Sequence, residues 1–290
     1  TQIDSIRVKA FYKFIVHGAL YNQPDSAFLF AEQLFIFAKK KKLKKSMATA
    51  RIVQGVSFDL RSDYTNALKY YAESLKIYQN IGNKEGIASS LVNMGTIFNY
   101  QSDYINAINY YSQGLKIYEE IGDKKGVATS QLNIGLIYFS QGDNTKALNY
   151  FSKSLKIKEE IGDKKGLIKP LINLGIIYKN QGDYTKAMSY ITQSLKLSEE
   201  IGSKNDIASS FANIGNIYYE QGNYTKALNY FSKSLKIAEE IGNKKNIALT
   251  LNNIGLIYAN QGNHQKAIVI IQKALNVAQK IGAPVEIREA

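Results

Sequence analysis

The chain repeats itself every forty residues, and that period limits what it can fold into more than any other feature. The segment GDNTKALNYFSKSLKIKEEIGDKKG (Gly142 to Gly166) returns two periods later as GNYTKALNYFSKSLKIAEEIGNKKN (Gly222 to Asn246). Ala27, Ala67, Ala107, Ala147, Ala187, Ala227 and Ala267 mark one small residue per period, so seven units fill almost all of the 290 residues. A fold with one central core has no use for such regularity. Stacked copies of a small element, each covering the apolar face of the next, require it.

Within a period two helical patterns alternate, each about 16 to 18 residues long. In the first, helix A, Ile87, Leu91, Met94, Gly95 and Phe98 fall on one face. In the second, helix B, Ala107, Tyr111, Leu115 and Ile117 or Tyr118 do the same. The A-to-B turns read Gln141-Gly142-Asp143, Gln181-Gly182-Asp183, Gln221-Gly222-Asn223 and Gln261-Gly262-Asn263, and the B-to-A turns place Gly82, Gly122, Gly162, Gly202, Gly242 and Gly282 similarly. Gly supplies a left-handed residue that ends one helix, and Asp or Asn caps the next. Each unit is therefore a helical hairpin, with bounds near 5–43, 44–83, 84–123, 124–163, 164–203, 204–243 and 244–283. No strand-like alternation occurs, so the expected class is all-α, one array over 1–290. Gly95, Gly135, Gly175, Gly215 and Gly255 recur inside helix A, where Gly costs about 1 kcal/mol against Ala. A cost repeated at one slot predicts close approach of a neighbouring helix.

The order Leu132, Ile134, Gly135, Tyr138, Ala147, Tyr150, Phe151 resembles the tetratricopeptide repeat over nearly the whole chain. The forty-residue period is similar to that of kinesin light chains, Leu-Gly-Asn repeat proteins and Rap-type bacterial arrays. The family's Trp slot holds Leu91, Gln131, Leu171, Phe211 or Leu251. The resemblance implies a right-handed α-solenoid of seven helix-turn-helix units that binds protein or peptide without a cofactor. By analogy it also implies the sensory or regulatory part of a larger bacterial signalling protein.

Helical geometry separates core from groove. With about 100° per residue from Leu91, the residues Ser89, Asn93, Thr96 and Tyr100 gather on the side away from helix B. In that stripe Asn93 recurs as Asn133, Asn173, Asn213 and Asn253. Asn is a mediocre helix former, so its repetition needs a reason. One reading is a ladder of amides that pairs with the backbone of an extended peptide. The other is a set of bonds to the neighbouring helix A that fixes register. The resemblance favours the first, because it implies Asn at the matching place on a peptide-binding concave wall. Further stripe positions carry Thr129, Leu136 and Ser140, then Lys169, Ile176, Lys179 and Asn180, then Ser209, Asn216, Tyr219 and Glu220, then Leu249, Asn252, Leu256 and Asn260. Only Lys169 and Lys179 are cationic, too few for a clamp on a terminal carboxylate. Pro170, inside a helix A, predicts a kink.

Chemistry is limited by what is missing. With 0 Cys and only His17 and His264, thiol chemistry is excluded and a His-ligated metal site has no material. No phosphate loop or nucleophile elbow appears, so the expectation is a non-enzyme without cofactor or metal. The balance of 37 Lys and Arg against 24 Asp and Glu gives +13, densest at Lys39–Lys42, Lys44 and Lys45. That keeps open a second reading, a nucleic-acid-binding solenoid. A third is a structural spacer or homo-oligomer, and the expected state is a monomer or an end-to-end dimer. The paired Glu119-Glu120, Glu159-Glu160, Glu199-Glu200 and Glu239-Glu240 read as solvated charge beside Lys124-Lys125 and its repeats. No apolar run is long enough to span a bilayer, and cytoplasmic placement is the default expectation. Residues 284–290 look like the start of a further helix A, which predicts a fragment of a longer protein or an end covered by another domain.

Overall fold

The computed structural model describes residues 2–16, 20 and 23–280. Fourteen helices follow one another: α1 (Gln2–Phe14), α2 (Pro24–Lys40), α3 (Lys44–Asp59), α4 (Tyr64–Asn80), α5 (Lys84–Tyr100), α6 (Tyr104–Glu120), α7 (Lys124–Ser140), α8 (Asn144–Glu160), α9 (Lys164–Asn180), α10 (Tyr184–Glu200), α11 (Lys204–Glu220), α12 (Tyr224–Glu240), α13 (Lys244–Asn260) and α14 (His264–Gln279). No strand occurs among the described residues, so the all-α solenoid class holds. Odd helices are A and even helices B. His17, Gly282 and the helix start expected at 284–290 lie outside the described residues.

Turn chemistry sets the period. Gly82, Gly122, Gly142, Gly162, Gly182, Gly202, Gly222, Gly242 and Gly262 all have positive φ, and Lys42, Ser62 and Ser102 hold the same conformation in the earlier turns. In most turns a carboxylate or amide one residue later caps the next helix: Asp103 accepts from the Asn106 N–H at 3.1 Å, and Asn243 from the Asn246 N–H at 3.1 Å, whereas Leu43 and Ser203 make no side-chain cap. The hydrogen bonds that Asp63, Asp103, Asp143 and Asp183 accept hold these carboxyls below the usual range. The far end of a hairpin closes by an ion pair. Lys84 meets Glu120 at 3.0 Å, Lys164 meets Glu200 at 2.9 Å and Lys204 meets Glu240 at 3.2 Å. The second Glu of each of these pairs is thus bound to the lysine that opens its own hairpin, not to the lysines just after it.

The chain forms two compact units, Thr1–Ile157 and Lys158–Ala290. In the first, Ala67 and Tyr71 of α4 pack with Met94 and Ile97 of α5, and Ala107 and Tyr111 of α6 with Ile134 and Ile137 of α7. The second repeats this with Ala187, Ile191, Ile214 and Ile217, then with Ala227, Phe231, Ile254 and Ile257. α4, α6, α10 and α12 thus each sit between their own helix A and the next. The mid-helix glycines serve the hairpin itself. A Cβ on Gly95, Gly135 or Gly215 would stand 2.7–2.8 Å from the ring of Tyr111, Phe151 or Phe231, so the close approach is by a bulky side chain of the partnering helix B. The kink expected at Pro170 does not shorten α9, which keeps the 17-residue span of its neighbours.

Between helix B and the next helix A runs a buried hydroxyl seam. Ser74 and Ser90 lie 3.3 Å apart, and Ser194 and Ser210 3.2 Å. At the equivalent step Gly114 replaces the first serine, and the buried Ser130 hydroxyl has no hydrogen-bond partner.

Candidate functional site

Helix packing puts the A helices side by side. In the first unit α3 touches α5 and α5 touches α7; in the second α9 touches α11 and α11 touches α13. Successive B helices make no comparable contact within either unit. Within each unit the outward stripe of a helix A therefore faces the stripe of the next, and the residues at those slots form the wall of a groove.

The geometry is clearest between α11 and α13. Ser209, Ala212, Asn213 and Asn216 of α11 face Asn246, Leu249, Thr250 and Asn253 of α13 across a cavity of 260 Å³. Asn213, Asn216 and Asn253 are thus brought together. The Asn253 amide donates to the Asn216 Oδ1 at 3.2 Å, and Asn213 donates to the Ser209 carbonyl of its own helix at 2.9 Å. Leu249, 55% exposed, is the large apolar contact. No charged side chain lines this cavity, so hydrogen bonding and shape set its preference.

The register explains why the amides differ. Asn253 finds a partner because Asn216 stands one helix back. Ahead of Asn213 the corresponding slot is Ile176, which offers no acceptor, and Asn213 turns to its own helix. Ahead of Asn133 it is Thr96, whose hydroxyl already donates to the Val92 carbonyl and accepts from the Tyr111 hydroxyl, both at 3.1 Å. Asn93, Asn133 and Asn173 are half-buried and make no side-chain hydrogen bond among the described residues. Register-setting therefore accounts for Asn253 but not for these three.

The remaining expected site residues lie at the edge. Asn260 donates to the Tyr219 hydroxyl at 2.7 Å, bridging α13 and α11 near their C-terminal ends. Lys179 and Asn180 line a second recess of 600 Å³ with Tyr184 and Glu220. Lys169 is exposed on α9, and neither it nor Lys179 forms an ion pair among the described residues. Tyr100, 54% exposed, stacks on Tyr64 at 5.9 Å, and burial of its hydroxyl, with Asp59 nearby, pushes its pKa up. Asn246 and Thr250 were not among the expected residues. Their slots hold Gly86 and Ser90, or Gly126 and Ser130, in earlier units, and that departure from the repeat is the signal that marks them.

Among the described residues no three His, Cys, Asp or Glu side chains gather as metal ligands, and no helix is long and apolar enough to cross a membrane. A family model of the tetratricopeptide repeat matches residues 47–120, 126–200 and 206–280. The chain belongs to the tetratricopeptide repeat family. No curated protein sequence matches this tetratricopeptide array. Solved structures it resembles include a Rap protein complexed with competence and sporulation factor, at 15% identity and a TM-score of 0.69, over 96% of this chain and 77% of that one. Another is NprR in complex with its cognate peptide NprX, at 16% identity and a TM-score of 0.65, over 94% and 79%. A third is a signal transduction ATPase with a tetratricopeptide repeat sensor from Pyrococcus horikoshii, at 21% identity and a TM-score of 0.73, over 97% of this chain and 41% of that one. At these identities the likeness shows the shared fold.

Proposed function

We propose that the array is an interaction scaffold whose helix A groove holds an extended peptide or partner segment. The observation that carries this is the unpaired set Asn93, Asn133 and Asn173. Each is a half-buried amide with an unused donor and acceptor, at a mid-helix slot where Asn lowers helix stability. An extended backbone presents the matching N–H and C=O groups. The uncharged cavity between α11 and α13 supports the same reading, since it suits a neutral stretch of chain laid over Leu249. Lys169, Lys179, Asn180, Tyr219 and Tyr100 then act as edge contacts that select side chains. The complexes of NprR with its cognate peptide and of the Rap protein with competence and sporulation factor supply precedent for ligands on this fold. A sensor array joined to an ATPase supplies precedent for a regulatory part of a larger signalling protein.

The test is selection of a displayed random-peptide library on the wild-type array and on a variant carrying Asn93→Ala, Asn133→Ala and Asn173→Ala. At about 0.5–1.5 kcal/mol per hydrogen bond, a peptide held in the first unit loses the bonds of Asn93 and Asn133 and weakens roughly five- to a hundred-fold. Equal affinity for both proteins, with helicity and melting unchanged, removes the ladder from the site.

A further inference from the structure

The repeat provides its own control for what an exposed position ordinarily carries. On the outward ridge of helix B, two slots seven residues apart are exposed in each unit. From α4 to α12 the second slot is Lys76, Lys116, Lys156, Lys196 and Lys236, and in α14 it is Asn276. In α2 it is Ile36, 58% exposed. The first slot is Lys, Asn or Ser from α4 to α12 and Val269 in α14, whereas α2 carries Leu29, 62% exposed. Beside this ridge Phe14, 55% exposed, packs edge-on against Phe30 at 5.5 Å. Three large apolar side chains thus project from one hairpin, at a place where the fold itself accepts lysine and asparagine.

The charge around them has one sign. The carboxylates of α1 and α2 are engaged: Asp4 with Lys41 at 3.4 Å, Asp25 with Arg61, and Glu32 with Arg51 at 3.2 Å. Lys39, Lys40, Lys42 and Lys44 are exposed and form no ion pair among the described residues. Lys40 continues the ridge of Leu29 and Ile36 one turn beyond Ile36. The apolar groups project singly from exposed helix positions, with Leu29 and Ile36 two turns apart, so they fit a yielding surface that accepts side chains one at a time.

We propose that the outward face of the first hairpin docks on an anionic lipid bilayer, with Leu29, Ile36 and Phe14 entering the interfacial layer and the Lys39–Lys44 cluster held at the headgroups. Neither signal suffices alone. Shallow insertion of a few side chains is weak and reversible, and basic residues add attraction only where the surface is negative. Among the described residues no helix is long and apolar enough to span, and the proposed association is peripheral.

The test is co-sedimentation of the full chain with phosphatidylcholine vesicles, with and without one third phosphatidylglycerol. Binding to the anionic vesicles should exceed binding to neutral ones by about ten-fold or more and should fall as salt is raised. Two variants separate the contributions. Leu29→Asn with Ile36→Lys installs residues that other hairpins carry at the same slots, so folding is retained, and it adds a positive charge. Insertion predicts about a ten-fold loss of binding despite that charge. The second variant, Lys39→Gln, Lys40→Gln, Lys42→Gln and Lys44→Gln, should lose the preference for phosphatidylglycerol. Undiminished binding of the first variant, equal binding to both vesicle types, or a dimer that the first variant dissociates while vesicles capture nothing would each overturn the proposal.

Discussion

The hydroxyl seam gives opposite predictions for one substitution at two equivalent positions. Ser130 and Ser210 hold the same slot in α7 and α11, and both are fully buried. The Ser130 hydroxyl has no partner, because Gly114 stands where other units place serine. Ser130→Ala therefore removes a buried, unsatisfied polar group and exchanges no hydrogen bond for it. Desolvating such a group costs about 1–3 kcal/mol, so the variant should gain about 1 kcal/mol after a small loss of packing. Ser210 bonds the Ser194 hydroxyl at 3.2 Å, and that hydroxyl has no other partner among the described residues. Ser210→Ala strands Ser194 and should cost about 1–3 kcal/mol. A repeat array need not melt in one step, so a global midpoint blurs the contrast. Amide hydrogen exchange resolves it locally. At 1.4 kcal/mol per factor of ten, α7 amides should exchange about five-fold more slowly in Ser130→Ala, and α11 amides about five- to a hundred-fold faster in Ser210→Ala. The same sign at both sites would refute the reasoning and would mean that Ser130 bonds back to the Gly126 carbonyl in solution, as Ser90 does to Gly86 at 2.8 Å.

Other consequences are as direct. Gly215→Ala should lower stability by about 1–3 kcal/mol in denaturant titration despite the better helix propensity of Ala, because its Cβ would lie 2.8 Å from the Phe231 ring. Ser62→Gly and Ser102→Gly should each raise stability by a few tenths to about 1 kcal/mol, since both hold φ of 59°. A shift of opposite sign in thermal melts would show that these turns need the side chain. Burial pushes the Tyr111 and Tyr118 hydroxyls up to about 12. Both stay neutral in the fold while their unfolded counterparts ionise near 10, so their stabilisation is complete below about pH 10 and is lost as pH rises to about 12. Tyr111→Phe should blunt that alkaline loss in pH-dependent melts. The exposed capping carboxyls of Asp103 and Asp183 lie below their ordinary value. Their stabilisation is present above about pH 4 and disappears as pH falls through the folded values, which Asp103→Asn should make less steep in acid melts.

The hairpins were legible because their signals are local. In most turns a left-handed Gly or Ser followed by a capping Asp or Asn acts without help from distant residues. The groove face was legible too, since about 100° per residue sets Asn93 apart from Leu91 whatever the partners are. The state of each amide was not readable from its own position. Asn253 is bound because of Asn216, Asn213 turns inward because of Ile176, and Asn133 is unpaired because Thr96 is already committed. Each of these depends on a residue 37 positions earlier in the chain, and the pairing emerges only when one A helix is laid beside the next. The mid-helix glycines signal a tight contact, and the side chain that fills the space, a ring at Gly95, Gly135 and Gly215 and an isoleucine at Gly175 and Gly255, is identifiable only from packing. That α9 keeps 17 residues with Pro170 inside it was likewise not readable from a residue that locally disfavours helix.

The ion pair that closes a hairpin joins residues 36 positions apart, both inside one repeat. Such a unit carries its own clasp, its own turn and its own contact of a bulky side chain on a mid-helix glycine, and its neighbours need match only the faces it packs against. Genetic gain or loss of forty residues therefore joins ends that already match. A lineage carrying this chain can lengthen or shorten its groove by whole steps, and exchange the side chains of one wall, without re-solving the fold.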